Sequence, residues 1–288
     1  MKLATIRQGS AELAAIIESS SYILIDTINA AMNMQWSSSM LELIRLGQLD
    51  AIKEWYRNGG RELLAGMASV PLAEAQYAPL YRHPRKIWGI GMNYVKNASE
   101  LAFIPADAEP VSFMKPDTTI IGSGEAIQLP RQSQEPTAEA ELAIIIGREC
   151  RNVTEAEARD AVAGFTTSLD MTAADIHAKN QRFLTRAKSF DTFFSFGPHF
   201  ITADEIEDVL ALSVETVLNG AVCHRNVIAH MRYQPWYIVA FHSQVMTLLP
   251  GDVILTGTPG SVIIRDGDVV ECRISGGFEP LVNSVRGC

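Results

Sequence analysis

The stretch Glu139-Ala140-Glu141-Leu142-Ala143-Ile144-Ile145-Ile146 decides how this chain is read. Its second half is apolar and β-branched, the composition of a buried strand. Side chains alternate along a strand, so Glu139 and Glu141 share one face. Two carboxylates side by side repel each other, and a chain keeps them at low cost only where solvent or a cation lies between them. Hard oxygen ligands of this kind suit Mg²⁺, Mn²⁺ or Ca²⁺. A third candidate, Asp170, ends a second short apolar run over 165–169. The plain alternative is that the glutamates form the wet face of a half-exposed strand, a common arrangement.

Working outward, Thr154-Glu155-Ala156-Glu157 forms a capping box that predicts a helix over 154–162, ended by Gly164. Upstream, 86–91 reads as a strand, 95–110 as a short helix or mobile loop able to act as a lid, and 111–114 and 118–121 as strand pieces. Gly122 and Gly124 lack a third glycine and a following helix, which disfavours a dinucleotide loop. Downstream, Asn219-Gly220 between 214–218 and 221–223 predicts a tight hairpin, Pro235 opens a helix to about 246, and the tail is β. A box-like helix start is expected at 202–205. Near the N-terminus, 12–17 and 22–25 form a hairpin, and Ser39 caps a helix that Gly47 weakens and Asn58-Gly59-Gly60 stops. Pro71, Pro79 and Pro84 mark a connector, giving a small domain over 1–82 and a catalytic domain over 83–288.

Composition narrows the function classes. The 288 residues are 47% hydrophobic, ample for a core, and the formal charge of −9 with no Lys/Arg run argues against nucleic acid. No apolar run reaches the length of a membrane span and none resembles a signal peptide, so the expected setting is cytoplasmic. Cys150, Cys223, Cys272 and Cys288 are scattered without ligand spacing and are expected as free thiols.

Six pieces stand in order: Ile87-x-Gly89-x-Gly91-x-Asn93-Tyr94, Phe113-x-Lys115-Pro116, Glu139-Ala140-Glu141-Leu142, Leu169-Asp170-Met171-Thr172, Ala187-Lys188-Ser189-Phe190-Asp191 and Gly251-Asp252 through Thr256-Gly257-Thr258-Pro259. Together they resemble the fumarylacetoacetate hydrolase family from about residue 85 onward. The resemblance implies an α+β, β-rich fold, a mixed β-sandwich roll behind a small N-terminal α/β domain, assembled as a homodimer. It implies Mg²⁺ or Mn²⁺ on Glu139, Glu141 and Asp170, gripping a small 2-oxo or 1,3-dicarbonyl acid. It also implies a catalytic Lys188, and substrate contacts from Thr256 and Thr258.

Three positions depart from the family pattern. Where hydrolytic members carry a histidine followed three residues later by a glutamate, this chain has Asn97 and Glu100. Asparagine takes no proton at neutral pH, so Asn97 is left as a substrate contact and Glu100 as the catalytic remnant. An arginine is replaced by Ala174, and a glutamine by His177, which becomes the candidate acid/base group. The reading that follows is a metal-dependent hydrolase cleaving a C–C bond in an acylpyruvate-type acid. Its alternative is a decarboxylase, dehydratase or tautomerase that needs no activated water. A binding protein without catalysis is the third possibility, opposed by the joint presence of the three carboxylates, Lys188 and Glu100.

Overall fold

The computed structural model describes residues 1–105 and 107–287. Four strands open the chain: β1 (Lys2–Gln8), β2 (Ala11–Ile17), β3 (Ser21–Leu24) and β4 (Val70–Pro71), with β5 (Ile87–Gly91), β6 (Val111–Lys115), β7 (Ile120–Ile121) and β8 (Ile127–Gln128) next. The long strands β9 (Pro136–Ile146), β10 (Val162–Ala173) and β11 (Phe194–Thr202) form the middle. After them come β12 (Ser213–Leu218), β13 (Ala221–Val227), β14 (Val253–Leu255), β15 (Ser261–Ile263), β16 (Val269–Ile274) and β17 (Leu281–Arg286). The helices are α1 (Ile25–Met32), α2 (Met40–Arg45), α3 (Gln48–Trp55), α4 (Arg61–Leu64), α5 (Glu155–Ala161), α6 (Ala174–Lys179), α7 (Leu184–Lys188) and α8 (Pro235–Val245).

The large sheet runs β4-β3-β2-β1-β11-β10-β9-β14-β5-β6, with β15 added on β9 and β7 on β11; a smaller one runs β13-β12-β16-β17-β8. This is the expected β-rich α+β architecture. The two faces of β9 have different neighbours. Its even-numbered residues Ala138, Ala140, Leu142, Ile144 and Ile146 join Val214, Val270 and Cys272 of the small sheet in one apolar cluster. On the other face, Ala143 and Ile145 join Leu41, Ile44 and Leu49 of α2 and α3 and Val253 and Leu255 of β14.

Local sequence explains several boundaries. Thr154 and Glu157 cap α5 reciprocally, as the motif predicts. The hairpin β12–β13 turns at Asn219 and Gly220, which take φ of 51° and 81°, the pair of positive values a tight two-residue turn requires. Ser39 caps α2 by accepting the Glu42 N–H, and Gly47, at φ 67°, splits the expected single helix into α2 and α3. After the break at Asn58 and Gly59 the chain turns helical again as α4.

Other expectations are corrected. Asp170 does not end its strand: β10 continues to Ala173, and Asp170 is wholly buried inside it. Thr202 starts no helix; it closes β11 and only a single turn, Ala203–Glu205, follows. Besides the two-residue β4 and β8, two longer strands were not foreseen, β1 and β11. The Gly197-Pro198 step inside β11 masks its apolar pattern, because proline reads as a strand breaker. These two strands pair with each other, Leu3 opposite Phe200. Cys150, Cys223 and Cys272 are free thiols, and Cys288 lies outside the described residues, as does Ala106 of the expected lid segment. Among the described residues, no helix is long and apolar enough to cross a membrane.

Candidate metal centre

The antiparallel register of β9 and β10 sets Asp170 directly opposite Glu139 and Ser168 opposite Glu141. Residues two apart on a strand share a face, so the three carboxylates converge by strand geometry alone. One oxygen from each lies within 4.8 Å of the others, the one such acidic group found among the described residues. Glu141 and Asp170 are buried, while the Glu139 side chain keeps 20% of its surface exposed, so the cluster opens to solvent at Glu139.

Two buried lysines brace it. Lys188, at the end of α7, places Nζ 3.1 Å from Glu139 Oε2 and also bonds Asp170 Oδ2. Its ammonium lies 4.3 Å from the centre of the Phe113 ring, a cation–π contact. Lys115 donates to Asp170 Oδ1 at 2.6 Å and to the Met171 carbonyl at 3.0 Å. Phe113 and Lys115 alternate in β6, which sends both toward the site. Gly89 faces Phe113 across β5, and a Cβ there would stand 2.2 Å from the ring, so only glycine admits it.

Glu141 has no lysine; it accepts the Gly257 N–H at 2.6 Å. Gly257 holds φ of +96°, where a Cβ would also collide with Asn93 at 2.7 Å. The turn is pinned from both sides. Thr256 gives its hydroxyl to Leu142 O at 2.8 Å, and the Asn93 amide donates to Thr256 O at 2.7 Å.

Burial pushes the carboxyls of Glu139 and Glu141 above their ordinary range, Glu141 the further, with Lys188 opposing and Asp170 adding to the rise. Asp170 is buried too, but Lys115 and Lys188 outweigh that and hold it below the ordinary carboxylate value. Burial draws Lys115 down to about 8 against the pull of Asp170, whereas Asp170 and Glu139 overcome burial at Lys188 and hold it up. Three carboxylates thus face two ammonium groups, a deficit of positive charge in a hard-oxygen pocket. Mg²⁺ or Mn²⁺ fits that donor set, and Glu139, Glu141 and Asp170 would hold it.

The remaining candidates are dispersed. Asn97 caps the 3₁₀ turn Ala98–Phe103, its Oδ1 accepting the Ser99 N–H at 3.1 Å. Glu100 is half-buried and accepts the Lys96 N–H at 3.1 Å and the Asn97 amide at 3.4 Å. His177 is half-buried on α6, which follows directly from the end of β10. The Thr256 hydroxyl is spent within the turn, and Thr258 exchanges hydrogen bonds with Gly260, accepting its N–H at 3.2 Å. Lys115, Phe113 and the Gly257 N–H were not assigned roles from sequence. The two-residue spacing of Phe113 and Lys115 in a strand was the available signal.

Residues 86–286 match the family model described as fumarylacetoacetate hydrolase, C-terminal. A mitochondrial oxaloacetate tautomerase of Xenopus laevis is 38% identical over 201 residues, covering 67% of this chain and 63% of that protein. The solved maleylpyruvate hydrolase of Sphingobium sp. SYK-6, in complex with manganese(II) and pyruvate, superposes with a TM-score of 0.81 at 28% identity, over 100% of this chain and 99% of that one. A 5-carboxymethyl-2-hydroxymuconate delta-isomerase from Mycobacterium smegmatis gives 0.80 at 30% identity, with 100% and 99% coverage.

Proposed function

The chain belongs to the fumarylacetoacetate hydrolase family, and on that premise we propose that it interconverts the keto and enol forms of a small four-carbon 2-oxo diacid. The observation that carries this is the state of Asn97 and Glu100. Asn97 offers no group that takes a proton and its Oδ1 caps a 3₁₀ turn, while Glu100 accepts the Lys96 N–H and the Asn97 amide, so the histidine–glutamate pair that would activate a water is absent. Enolisation needs no such water. The balance struck from sequence, narrowly for C–C hydrolysis, moves to the tautomerase alternative, in keeping with the tautomerase among the relatives.

Glu139, Glu141 and Asp170 would hold Mg²⁺ or Mn²⁺, which would supply Lewis-acid polarisation of the 2-oxo group. Lys188 holds positive charge beside the oxygen that becomes more negative as the C3 proton leaves. Lys115 fixes Asp170 through Oδ1, and Gly257 fixes Glu141, so both carboxylates are oriented before substrate arrives. His177 is the group that takes the C3 proton and returns it, on the helix that follows directly from the strand bearing Asp170. With a divalent cation the cluster carries one net positive charge, which favours a dianionic substrate over a neutral one. Assembly as a homodimer and a cytoplasmic setting belong to the same proposal; sedimentation measures the first.

Hydrolysis is the second reading, favoured by the likeness to the maleylpyruvate hydrolase and by the retention of Glu100. Proton NMR in D₂O with Mn²⁺-free, Mg²⁺-loaded protein decides between them. Enzyme-dependent exchange at C3 of oxaloacetate, lowered roughly 10²-fold or more by His177→Gln, supports tautomerisation. Release of pyruvate and a free acid from an acylpyruvate, without C3 exchange of oxaloacetate, supports hydrolysis instead.

A further inference from the structure

Buried hydroxyls in proteins nearly always have a hydrogen-bond partner. On the strands around the carboxylates this holds almost throughout. Ser168 donates to Glu141 O at 3.0 Å, Thr166 to His199 O at 2.8 Å and Thr137 to Thr172 O at 3.4 Å. On β9 and β10 the exception is Thr172: it is 7% exposed, yet its Oγ1 has no partner.

Its position gives that exception a direction. Thr172 follows Asp170 by two residues on β10 and pairs with Thr137, two residues before Glu139 on β9. It therefore faces the same side as the carboxylates, one side-chain repeat further along, about 6.6–6.8 Å in strand geometry. A threonine hydroxyl offers one donor hydrogen. The row thus presents a cation-binding end at Asp170 and, one repeat on, an unused neutral donor. A four-carbon diacid with its 2-oxo acid end at the carboxylates spans that step with its far carboxylate; a two-carbon diacid does not.

Building on the 2-oxo diacid reading, we propose that Thr172 is a specificity-determining residue whose hydroxyl donates to the distal carboxylate of the substrate. Ser195 sharpens the point. Its hydroxyl is also buried and unpartnered, but Ser195 pairs with Leu169, whose side chain belongs to the apolar cluster on the opposite face. An orphan hydroxyl there has no ligand to meet.

The test uses the full chain loaded with Mn²⁺ and two unreactive probes, oxalate and malate, titrated calorimetrically. Malate carries a distal carboxylate and oxalate does not. Thr172→Val is expected to weaken malate about tenfold, the equivalent of one hydrogen bond to a charged group, while leaving oxalate within twofold and the melting temperature unchanged or raised. Thr172→Ser restores malate binding, Ser195→Ala changes neither probe, and in turnover the Thr172→Val loss falls on KM rather than kcat. If the wild-type protein binds both probes and Thr172→Val weakens both equally or neither, the assignment is overturned and the diacid reading stands. A wild-type protein that binds oxalate but not malate overturns the reading and the assignment together.

Discussion

Two halves of one face of β9 stand side by side and do opposite things. Ala143 and Ile145 are fully buried beneath α2 and α3, where apolar area removed from water stabilises the fold. Two and four residues earlier, Glu141 is equally buried and Glu139 half-buried, and there burial opposes the charge each needs. Lysines and one backbone N–H offset part of that cost. The difference shows that a single strand, with a single register, is divided into a stabilising half and a half held away from its most stable composition. The proposed function places the site in the second.

That division predicts a separation of effects. The largest concerns Glu141→Gln. Loss of a ligand carboxylate is expected to lower turnover on the order of 10³-fold, since metal polarisation is worth several kcal/mol, and to abolish tight Mn²⁺ binding by calorimetry. The melting temperature of the metal-free protein should hold or rise, because a buried charge is removed. A large fall in that temperature would break the comparison. Ile145→Ala should do the reverse, costing about 2–4 kcal/mol in urea unfolding through the cavity it leaves, with Mn²⁺ affinity unchanged.

A third effect lies at the seam between β1 and β11. His199 is buried there, hydrogen-bonded through Nε2 to the Tyr77 hydroxyl at 3.0 Å, and burial draws its pKa down to about 4. The unfolded chain binds this proton near pH 6.5 and the folded one does not until about 4. Stability from this group is therefore complete above about pH 6.5 and lost as pH falls toward 4, by up to about 3 kcal/mol. Urea titrations at pH 7 and 4.5 should show a smaller acid loss in His199→Gln than in the wild type. The smallest effect is at Ser39→Ala, where removal of the α2 cap should cost about 0.5–1 kcal/mol and leave turnover untouched.

The site was legible from sequence where local rules suffice. Alternation alone set Glu139 and Glu141 on one face, and the capping box at Thr154 and the Asn219-Gly220 turn follow from chemistry within four residues. What was hidden depends on distant partners. Nothing near Lys2–Gln8 signals that it pairs with β11, and Asp170 read as a strand end because Met171-Thr172-Ala173 gives no clue that β9 continues opposite it. Lys115 stood in a noted motif, but its bond to Asp170 spans 55 residues. Thr256 was matched to substrate contact, and only the folded turn shows its hydroxyl given to Leu142.

The Gly257 N–H reaches Glu141 across 116 residues. Since a chain leaves the ribosome from its N-terminus, β9 emerges long before β14, the strand that covers its edge at Ala143, Ile144 and Ile145. A nascent chain halted before Val253 thus displays an unpaired apolar strand edge, the kind of surface that invites aggregation. Completion of synthesis closes that edge and delivers the Thr256–Gly257 turn to Glu141 in the same event, so the protein's safety from aggregation and the readiness of its carboxylates arrive together.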